Sequence, residues 1–188
     1  MKKQSIKTHL REYSIMQKRI TTINHAFASA IAPNDNYDED RIDKAIKALG
    51  QEPHEELLCF YCDKPAETWD HIYGLVKDNQ YYGHGHVVGN LLPSCKKCNS
   101  EKGNQEWESF INKKISNPSI RDRKMSVLRR YLKEFLPKRY GYNEIKKTCY
   151  NEFAQYEKIK KAIIQKMTEG DSVAEKIRNK LKKSNHKI

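Results

Sequence analysis

The feature that most constrains this chain is a pair of C-x-x-C sequences separated by 32 residues. The first pair is Cys59 and Cys62, and the second is Cys95 and Cys98. A C-x-x-C turn places two sulfur atoms on one side of a tight bend, and two such turns supply the four ligands of a tetrahedral site. The spacing therefore predicts a structural Zn²⁺, with an iron–sulfur cluster or a redox dithiol as alternatives. Cys149 is expected to be a partly buried free thiol.

The composition favours a small hydrophobic core that a metal site would help to stabilise. The chain has 188 residues, of which 37% are hydrophobic and 32% are charged, and this suits one domain with helical extensions. No stretch approaches the roughly 18 apolar residues of a membrane span. The N-terminus also lacks the apolar region of a signal peptide. Cysteines in metal-type spacing fit a reducing compartment, so we expect a soluble cytoplasmic protein with no membrane partner.

The net charge of +12 is confined to the C-terminal part of the chain. Residues 1–58 hold nine basic and nine acidic side chains, residues 59–103 hold five of each, and residues 104–188 hold 22 basic against ten acidic ones. A concentrated positive field favours a polyanionic partner such as DNA or RNA, although solvated lysine-rich helix faces would give the same composition. The predicted nucleic-acid contacts are Lys96, Lys97, Lys102, Arg121, Arg123, Arg129 and Arg130. Five further basic side chains of this region also fall near aromatic residues, namely Lys113, Lys114, Lys124, Lys138 and Arg139.

Hydrophobic periodicity predicts an α+β fold that is mainly helical. Two helices are expected before the cysteines, over residues 5–31 and 38–49. The segment between the first cysteine pair and Gly103 is expected to form a strand, an exposed loop, a second strand and a helix, over residues 67–73, 74–86, 87–92 and 93–103. Further helices are expected near residues 107–117, 125–135, 153–167 and 173–181. Three consecutive segments follow from this pattern, namely 1–56, 57–104 and the basic region 105–188.

The residues around the cysteines form an ordered pattern of Asp, His, Asn and Lys side chains. Asp70-His71-Ile72 follows the first pair, and Gly89-Asn90-Leu91-Leu92-Pro93 precedes the second. Asn99 follows Cys98 directly, and Lys102-Gly103-Asn104 closes the run. Together these residues resemble the HNH endonucleases of the zinc-supported kind, whose core is a ββα-metal fold. The resemblance covers residues 57–104 and implies hydrolysis of DNA phosphodiester bonds, with the basic residues 105–188 as a DNA-binding region.

The resemblance also implies a role for four side chains. His71 is expected to be the general base, because an imidazole with a pKa of about 6.5 can take a proton from water at neutral pH. Asp70 and Asn99 are expected to hold one catalytic cation, Mg²⁺ or Mn²⁺, and Asn90 to hold the loop and orient the base. Adjacent side chains on a strand point to opposite faces, so Asp70 and His71 can meet one phosphate only if the strand bends.

The expected activity is that of a type II restriction-type enzyme acting on double-stranded DNA. A homodimer is expected if both strands of a palindrome are cut. A phage-defence or mobile-element nuclease, a non-catalytic zinc module that binds nucleic acid, a toxin-like RNase and a structural zinc protein are the alternatives. The loop also contains His84 and His86. Either histidine could bind the catalytic metal or touch DNA, and a flexible loop near the minor groove or the active site is the preferred interpretation.

Overall fold

The computed structural model describes residues 3–8, 10–137 and 139–185. The chain divides into two compact units, one made of residues 1–27 and 146–188 and the other of residues 28–145. The first and last parts of the chain therefore belong to one unit, and the three consecutive segments expected from the sequence stay a prediction. Among these described residues, no helix combines the length and the apolar character that crossing a bilayer would require.

The described residues form a mainly helical α+β fold with two small antiparallel sheets. The α-helices are α1 (Ile15–Ile31), α2 (Glu39–Ala48), α3 (Lys96–Lys102), α4 (Trp107–Lys114), α5 (Pro118–Phe135), α6 (Tyr142–Thr148) and α7 (Tyr150–Asn185). The strands are β1 (Thr68–His71), β2 (Val76–Lys77), β3 (Gln80–Tyr81) and β4 (Leu91–Ser94). Two 3-10 turns precede α1 and β4, at Lys3–Thr8 and Val88–Asn90.

The larger core of residues 28–145 is built around the paired strands β1 and β4. In their antiparallel register, Asp70 lies opposite Leu92 and His71 lies opposite Leu91. Helix α3 starts directly after β4 and packs against β1. Cys59 and Cys98 are buried in the same apolar cluster, so the cysteines and the hydrophobic core stabilise the same part of the molecule.

Helix α5 supports the turn before β4 and the first cysteine turn. The hydroxyl of Tyr131 donates to the carbonyls of Val88 and Leu91, which fixes the turn that leads into β4. The ammonium of Lys124 donates to the carbonyl of Phe60 at 2.8 Å and pairs with Asp63 at 2.7 Å. Lys124 therefore holds the first cysteine turn in place, and it is not the surface cation that the charge pattern suggested.

The loop predicted over residues 74–86 contains the short hairpin of β2 and β3. Asp78 and Asn79 join the two strands with φ values of 52° and 63°. Positive φ at both positions is characteristic of tight hairpin turns, in which Asp and Asn are tolerated. Val76 and Tyr81 pack in a second apolar cluster together with Ala28. Strands of two residues are too short to produce a detectable alternation of apolar and polar residues.

Helices α1 and α7 pack together within the other unit. The ring of Phe27 lies 4.9 Å from that of Tyr156, and the Tyr156 hydroxyl donates to the Phe27 carbonyl at 3.0 Å. A Cβ added to Gly170 would lie 3.4 Å from Cδ1 of Ile15. Helix α7 is continuous through Gly170, where the sequence predicted a break between two helices. Packing against α1 therefore outweighs the low helix propensity of glycine.

Several predicted boundaries differ from the structure for local reasons. The helix predicted over residues 5–31 starts only at Ile15. Pro93 and Ser94 belong to β4 and do not open a helix, since Cys95 is the N-cap of α3. Pro118 starts α5, where the fixed φ of proline suits the first helical turn. Helix α6 was not predicted.

Candidate metal centre and the neighbouring histidine pair

The four cysteines come together as their spacing predicted. Their sulfur atoms all lie within 4.8 Å of one another, and the sulfurs of Cys62 and Cys95 are 3.7 Å apart. A tetrahedral zinc with Zn–S bonds of about 2.3 Å requires sulfurs about 3.8 Å apart. Within the described ranges this is the only group of three or more His, Cys, Asp or Glu side chains arranged for a metal ion. The site could therefore hold a metal such as zinc.

Backbone hydrogen bonds shape both cysteine turns. The N–H groups of Cys62 and Asp63 donate to the carbonyl of Cys59 at 3.3 and 2.9 Å. In the second turn, the N–H of Cys98 donates to the sulfur of Cys95 at 3.4 Å, and this contact lowers the pKa of the Cys95 thiol to about 7. Burial raises the pKa of Cys98.

Asp70 points into the interior of the protein. It is 4% exposed, and its Oδ2 accepts from the hydroxyl of Tyr61 at 2.6 Å. The ammonium of Lys102 lies 3.3 Å from each carboxylate oxygen and donates to the carbonyl of His71 at 2.7 Å. Burial raises the pKa of Asp70 above its ordinary value, although Lys102 and Tyr61 act in the opposite direction. The carboxylate is thus held by two interior partners.

Lys102, a predicted phosphate contact, lies inside the protein, and its contact with DNA stays a prediction. Its side chain is 1% exposed and ends at Asp70. The short helix α3 presents one face to β1, and Lys102 lies on that face. Its charge offsets that of the buried Asp70 carboxylate.

His71 makes its side-chain contact with His86. Its Nε2 lies 3.0 Å from Nδ1 of His86, and the two ring planes are inclined by 73°. Burial, the positive field of His86 and that of Lys102 lower the pKa of His71 to about 4. His71 is therefore neutral at pH 7 and has a nitrogen lone pair, whereas His86 is exposed to solvent.

Asn90 ties the end of β1 to the loop that carries His86. It is fully buried, and its Oδ1 accepts from the N–H of Tyr73 at 2.9 Å. Its Nδ2 donates to the carbonyls of Tyr73 and Gly85, each at 3.0 Å. These contacts agree with the expected loop-holding role. Asn90 does not bond to His71 itself, so its orienting effect on the base stays a prediction.

The structure does not assemble the oxygen ligands expected for a catalytic cation. The amide of Asn99 donates to the carbonyl of Trp69 at 3.4 Å. In the part of the chain that the structure describes, no hydrogen bond or ion pair links the side chains of Asp70, His71 and Asn99 to one another. Asp70 is buried against Tyr61 and Lys102, whereas the side chain of His71 contacts His86. The present positions of these side chains therefore do not fit a bound Mg²⁺ or Mn²⁺.

The other basic side chains predicted to contact nucleic acid differ in whether they already have an acidic partner. Lys96 and Lys97 are exposed and lie 3.3 and 3.9 Å from Glu67 and Glu101. Arg129 is committed to Glu108 through two contacts of 3.0 and 3.2 Å. Other basic side chains with an acidic or backbone partner are Lys114, Arg121 and Arg139, and Lys138 lies outside the described residues. Arg123 and Arg130 are exposed, and neither has an ion-pair partner among the residues described here.

Sequence reasoning did not find two contacts of this site. Tyr61 lies inside the first C-x-x-C sequence, and nothing there indicates that its hydroxyl reaches Asp70. His86 was recognised as a candidate without a defined partner, because 15 residues separate it from His71. A hydrogen bond between loop and strand residues has no sequence period that could indicate it.

Comparisons with known proteins gave no match at the level of the family, the sequence or the fold. No protein-family model matches the chain, no curated protein is significantly similar to it, and no solved structure matches its fold. The function must therefore be argued from the residues and their geometry.

Proposed function

We propose that this protein is a zinc-supported HNH-type endonuclease that hydrolyses phosphodiester bonds of double-stranded DNA. The observation that carries the proposal is a strand–strand–helix unit held by the four cysteines. β1 and β4 pair in antiparallel register, α3 packs on β1, and the residues of the HNH-like pattern lie within this unit. A structural zinc at the cysteines would fix β4 and α3 relative to the first cysteine turn. This order of two strands and a helix supports the proposal of a ββα-metal core.

His71 is the proposed general base. It is neutral at neutral pH because its pKa is lowered to about 4, so it can accept a proton from a water that attacks phosphorus. Asn90 holds the adjoining loop through Tyr73 and Gly85. Exposed basic side chains on α3 and α5 would bind the DNA backbone.

The proposed catalytic cation would supply charge stabilisation on the phosphate. Asp70 and Asn99 are its proposed ligands, yet the Asp70 carboxylate is held by Lys102 and Tyr61. Asp70 could bind a cation only after a rearrangement of these contacts. The requirement for Mg²⁺ or Mn²⁺ is therefore a separate part of the proposal, and it needs its own measurement.

A non-catalytic zinc module that binds nucleic acid is the second candidate. The interior position of Asp70 favours it, because a carboxylate paired with Lys102 serves stability without any cation. The two candidates share the zinc site and the basic surface. They differ in whether His71 acts on a phosphodiester bond.

Plasmid cleavage by the zinc-loaded protein tests the proposal. With Mg²⁺ or Mn²⁺ added, we expect supercoiled DNA to be nicked or linearised. His71→Ala should lower the cleavage rate about 100-fold or more, the usual contribution of a general base, while zinc content and DNA affinity stay unchanged. His54→Ala is the matched control, since the His54 side chain is 80% exposed. Omitting the added cation tests metal dependence without a chelator, which would also strip the zinc.

DNA binding without cleavage of DNA under any of these cations would overturn the nuclease proposal in favour of the binding module. An RNA substrate of matched sequence distinguishes a ribonuclease. Sequencing the ends of cleaved plasmid would give the recognition site and the overhang. A cut on both strands at a palindrome would support a restriction-type enzyme acting as a homodimer.

A further inference from the structure

His86 is held by backbone contacts to a distant segment of the chain. Its N–H donates to the carbonyl of Pro33 at 2.8 Å, and its carbonyl accepts from the N–H of Asp35 at 3.2 Å. The preceding Gly85 approaches Pro33 so closely that an added Cβ would overlap the Pro33 carbonyl. Only glycine fits at this position, because it has no side chain. The close approach allows the backbone hydrogen bonds between His86 and the segment of Pro33 and Asp35.

The residues on both sides of His86 are fixed as well. The carbonyl of Gly85 accepts from Asn90 at 3.0 Å, and the N–H of Val88 donates to Asp35 at 2.8 Å. Asp35 in turn pairs with Arg41 at 3.1 Å. Several hydrogen bonds therefore fix the backbone on both sides of His86. The fold sets the position of the His86 side chain, as it would for a residue that orients another group.

The contact between the two imidazoles restricts which nitrogen of His71 carries the proton. One hydrogen must lie between Nε2 of His71 and Nδ1 of His86, which are 3.0 Å apart. If His86 donates, a neutral His71 carries its own hydrogen on Nδ1 and has no free lone pair. If His71 donates through Nε2–H, its Nδ1 keeps the lone pair. Nδ1 of His71 has no hydrogen-bond partner among the described residues.

We propose that His86 is a positioning residue that accepts the Nε2–H of His71 and so leaves Nδ1 of His71 as the basic atom. Its kinetic consequence rests on the proposed nuclease function, whereas the tautomer is a property of the folded protein. A base oriented by a third group is the usual arrangement for an activated water or nucleophile. The exposed His86 ring also offers an acceptor that stabilises the positive charge formed when His71 takes a proton.

Histidine-ring NMR of the zinc-loaded full-length protein tests the assignment directly. Long-range ¹H–¹⁵N spectra at pH 7 distinguish the two tautomers, and the His71 signals are identified by their loss in His71→Ala. We expect the Nε2–H tautomer of His71 in the wild-type protein and a mixture of tautomers in His86→Ala. His86→Asn should retain the wild-type tautomer, because its Oδ1 lies at the position of the histidine Nδ1 and can accept the same hydrogen.

The kinetic arm uses the same variants. His86→Ala should lower kcat for plasmid cleavage about 10- to 100-fold, a usual cost of losing a group that orients a catalytic side chain. KM should change little, because the contact is not with DNA. His86→Asn should recover most of kcat, and His54→Ala should match the wild-type protein. Zinc content and melting temperature show whether each variant is folded.

An Nδ1–H tautomer of His71 in the wild-type protein would overturn the proposal. An unchanged tautomer and an unchanged kcat in His86→Ala would overturn it equally. If His86→Ala does not fold, the His71 tautomer in the wild-type protein and in His86→Asn still tests the proposal. A wild-type protein that shows the Nε2–H tautomer but cleaves no DNA would refute the proposed function and leave the role of His86 in orienting His71 intact.

Discussion

Lys102 carries its ammonium group into the interior of the protein, where only 1% of the residue is exposed. Removing a charge from water is costly, and here the cost is offset by Asp70 and by the carbonyl of His71. Breaking such a pair by removing one partner leaves the other charge buried and unpaired. The sequence gives no local sign of this, since lysines on short helices are usually solvated.

Lys102→Met should therefore destabilise the zinc-loaded protein by about 3 kcal/mol. The double variant with Asp70→Asn should recover much of this loss, because no unpaired charge then stays buried. Urea unfolding followed by circular dichroism measures both. Lys97→Met is the control, since the Lys97 side chain is 75% exposed and should shift stability by less than about 0.5 kcal/mol. A stable Lys102→Met protein with weakened DNA binding would instead make Lys102 a phosphate contact.

Cys98 and Cys149 offer a matched pair for testing the metal centre. Cys98 is buried in the sulfur cluster, whereas Cys149 is exposed and lies outside it. Cys98→Ser should abolish stoichiometric zinc binding and lower the melting temperature, because the metal joins segments that also form the main core. Cys149→Ser should leave both unchanged. Chelation of the wild-type protein should reproduce the Cys98→Ser melting temperature, and Zn²⁺ but not Mg²⁺ should restore the original value.

The bounds of an element were predicted closely where its own residues mark where it starts and ends. Helix α2 was expected over residues 38–49 and spans Glu39–Ala48, because Asp38 caps it by accepting from the N–H of Arg41. The cysteine cluster followed equally well from its spacing. The backbone hydrogen bond between Pro33 and His86 could not be predicted. It joins distant segments through backbone N–H and carbonyl groups, which nearly every residue has, so no residue type indicates it.

Asp171 shows how one element depends on another for its first turn. It lies in α7, yet its carboxylate accepts from the N–H groups of Ile15 and Met16 at 2.6 and 3.0 Å, at the start of α1. Its side chain also accepts from the hydroxyl of Ser14 at 2.8 Å. The N–H groups of Met16 and Ile15 are the main cause that lowers the pKa of Asp171.

The stabilising effect of Asp171 should disappear in acid. A lowered pKa in the folded state means that the contribution is complete above the unfolded value of about 3.9 and is lost as the pH falls through the lower folded value. Hydrogen exchange at the amides of Ile15 and Met16 should therefore accelerate below about pH 4 beyond the intrinsic pH trend. Asp171→Asn should show fast exchange already at pH 6, and Glu175→Gln in the same helix should behave as the wild-type protein. Equal protection in Asp171→Asn would show that the carboxylate does not cap α1.

At the scale of the whole molecule, the net charge of +12 overstates the charge that is free to bind DNA. Lys124 and Arg129 are paired with Asp63 and Glu108. Arg123 and Arg130 are exposed, and seven residues separate them along α5. Seven residues make about two helical turns, so both arginines lie on one side of the helix. That side of α5 is the proposed contact with the phosphate backbone.

The salt dependence of DNA binding should identify this contact. Each neutralised phosphate contributes about 0.9 to the slope of log K against log salt, so Arg123→Gln with Arg130→Gln should reduce the slope by about 2. The weakening should be similar for unrelated DNA sequences, because phosphate contacts do not read bases. Arg129→Gln is the control and should change the slope less, since Glu108 already competes for this guanidinium. Fluorescence anisotropy with a labelled duplex at several salt concentrations measures the slope for the wild-type protein and for each variant. An unchanged slope in the double variant, with a reduced slope in Lys96→Gln and Lys97→Gln, would move the contact from α5 to α3.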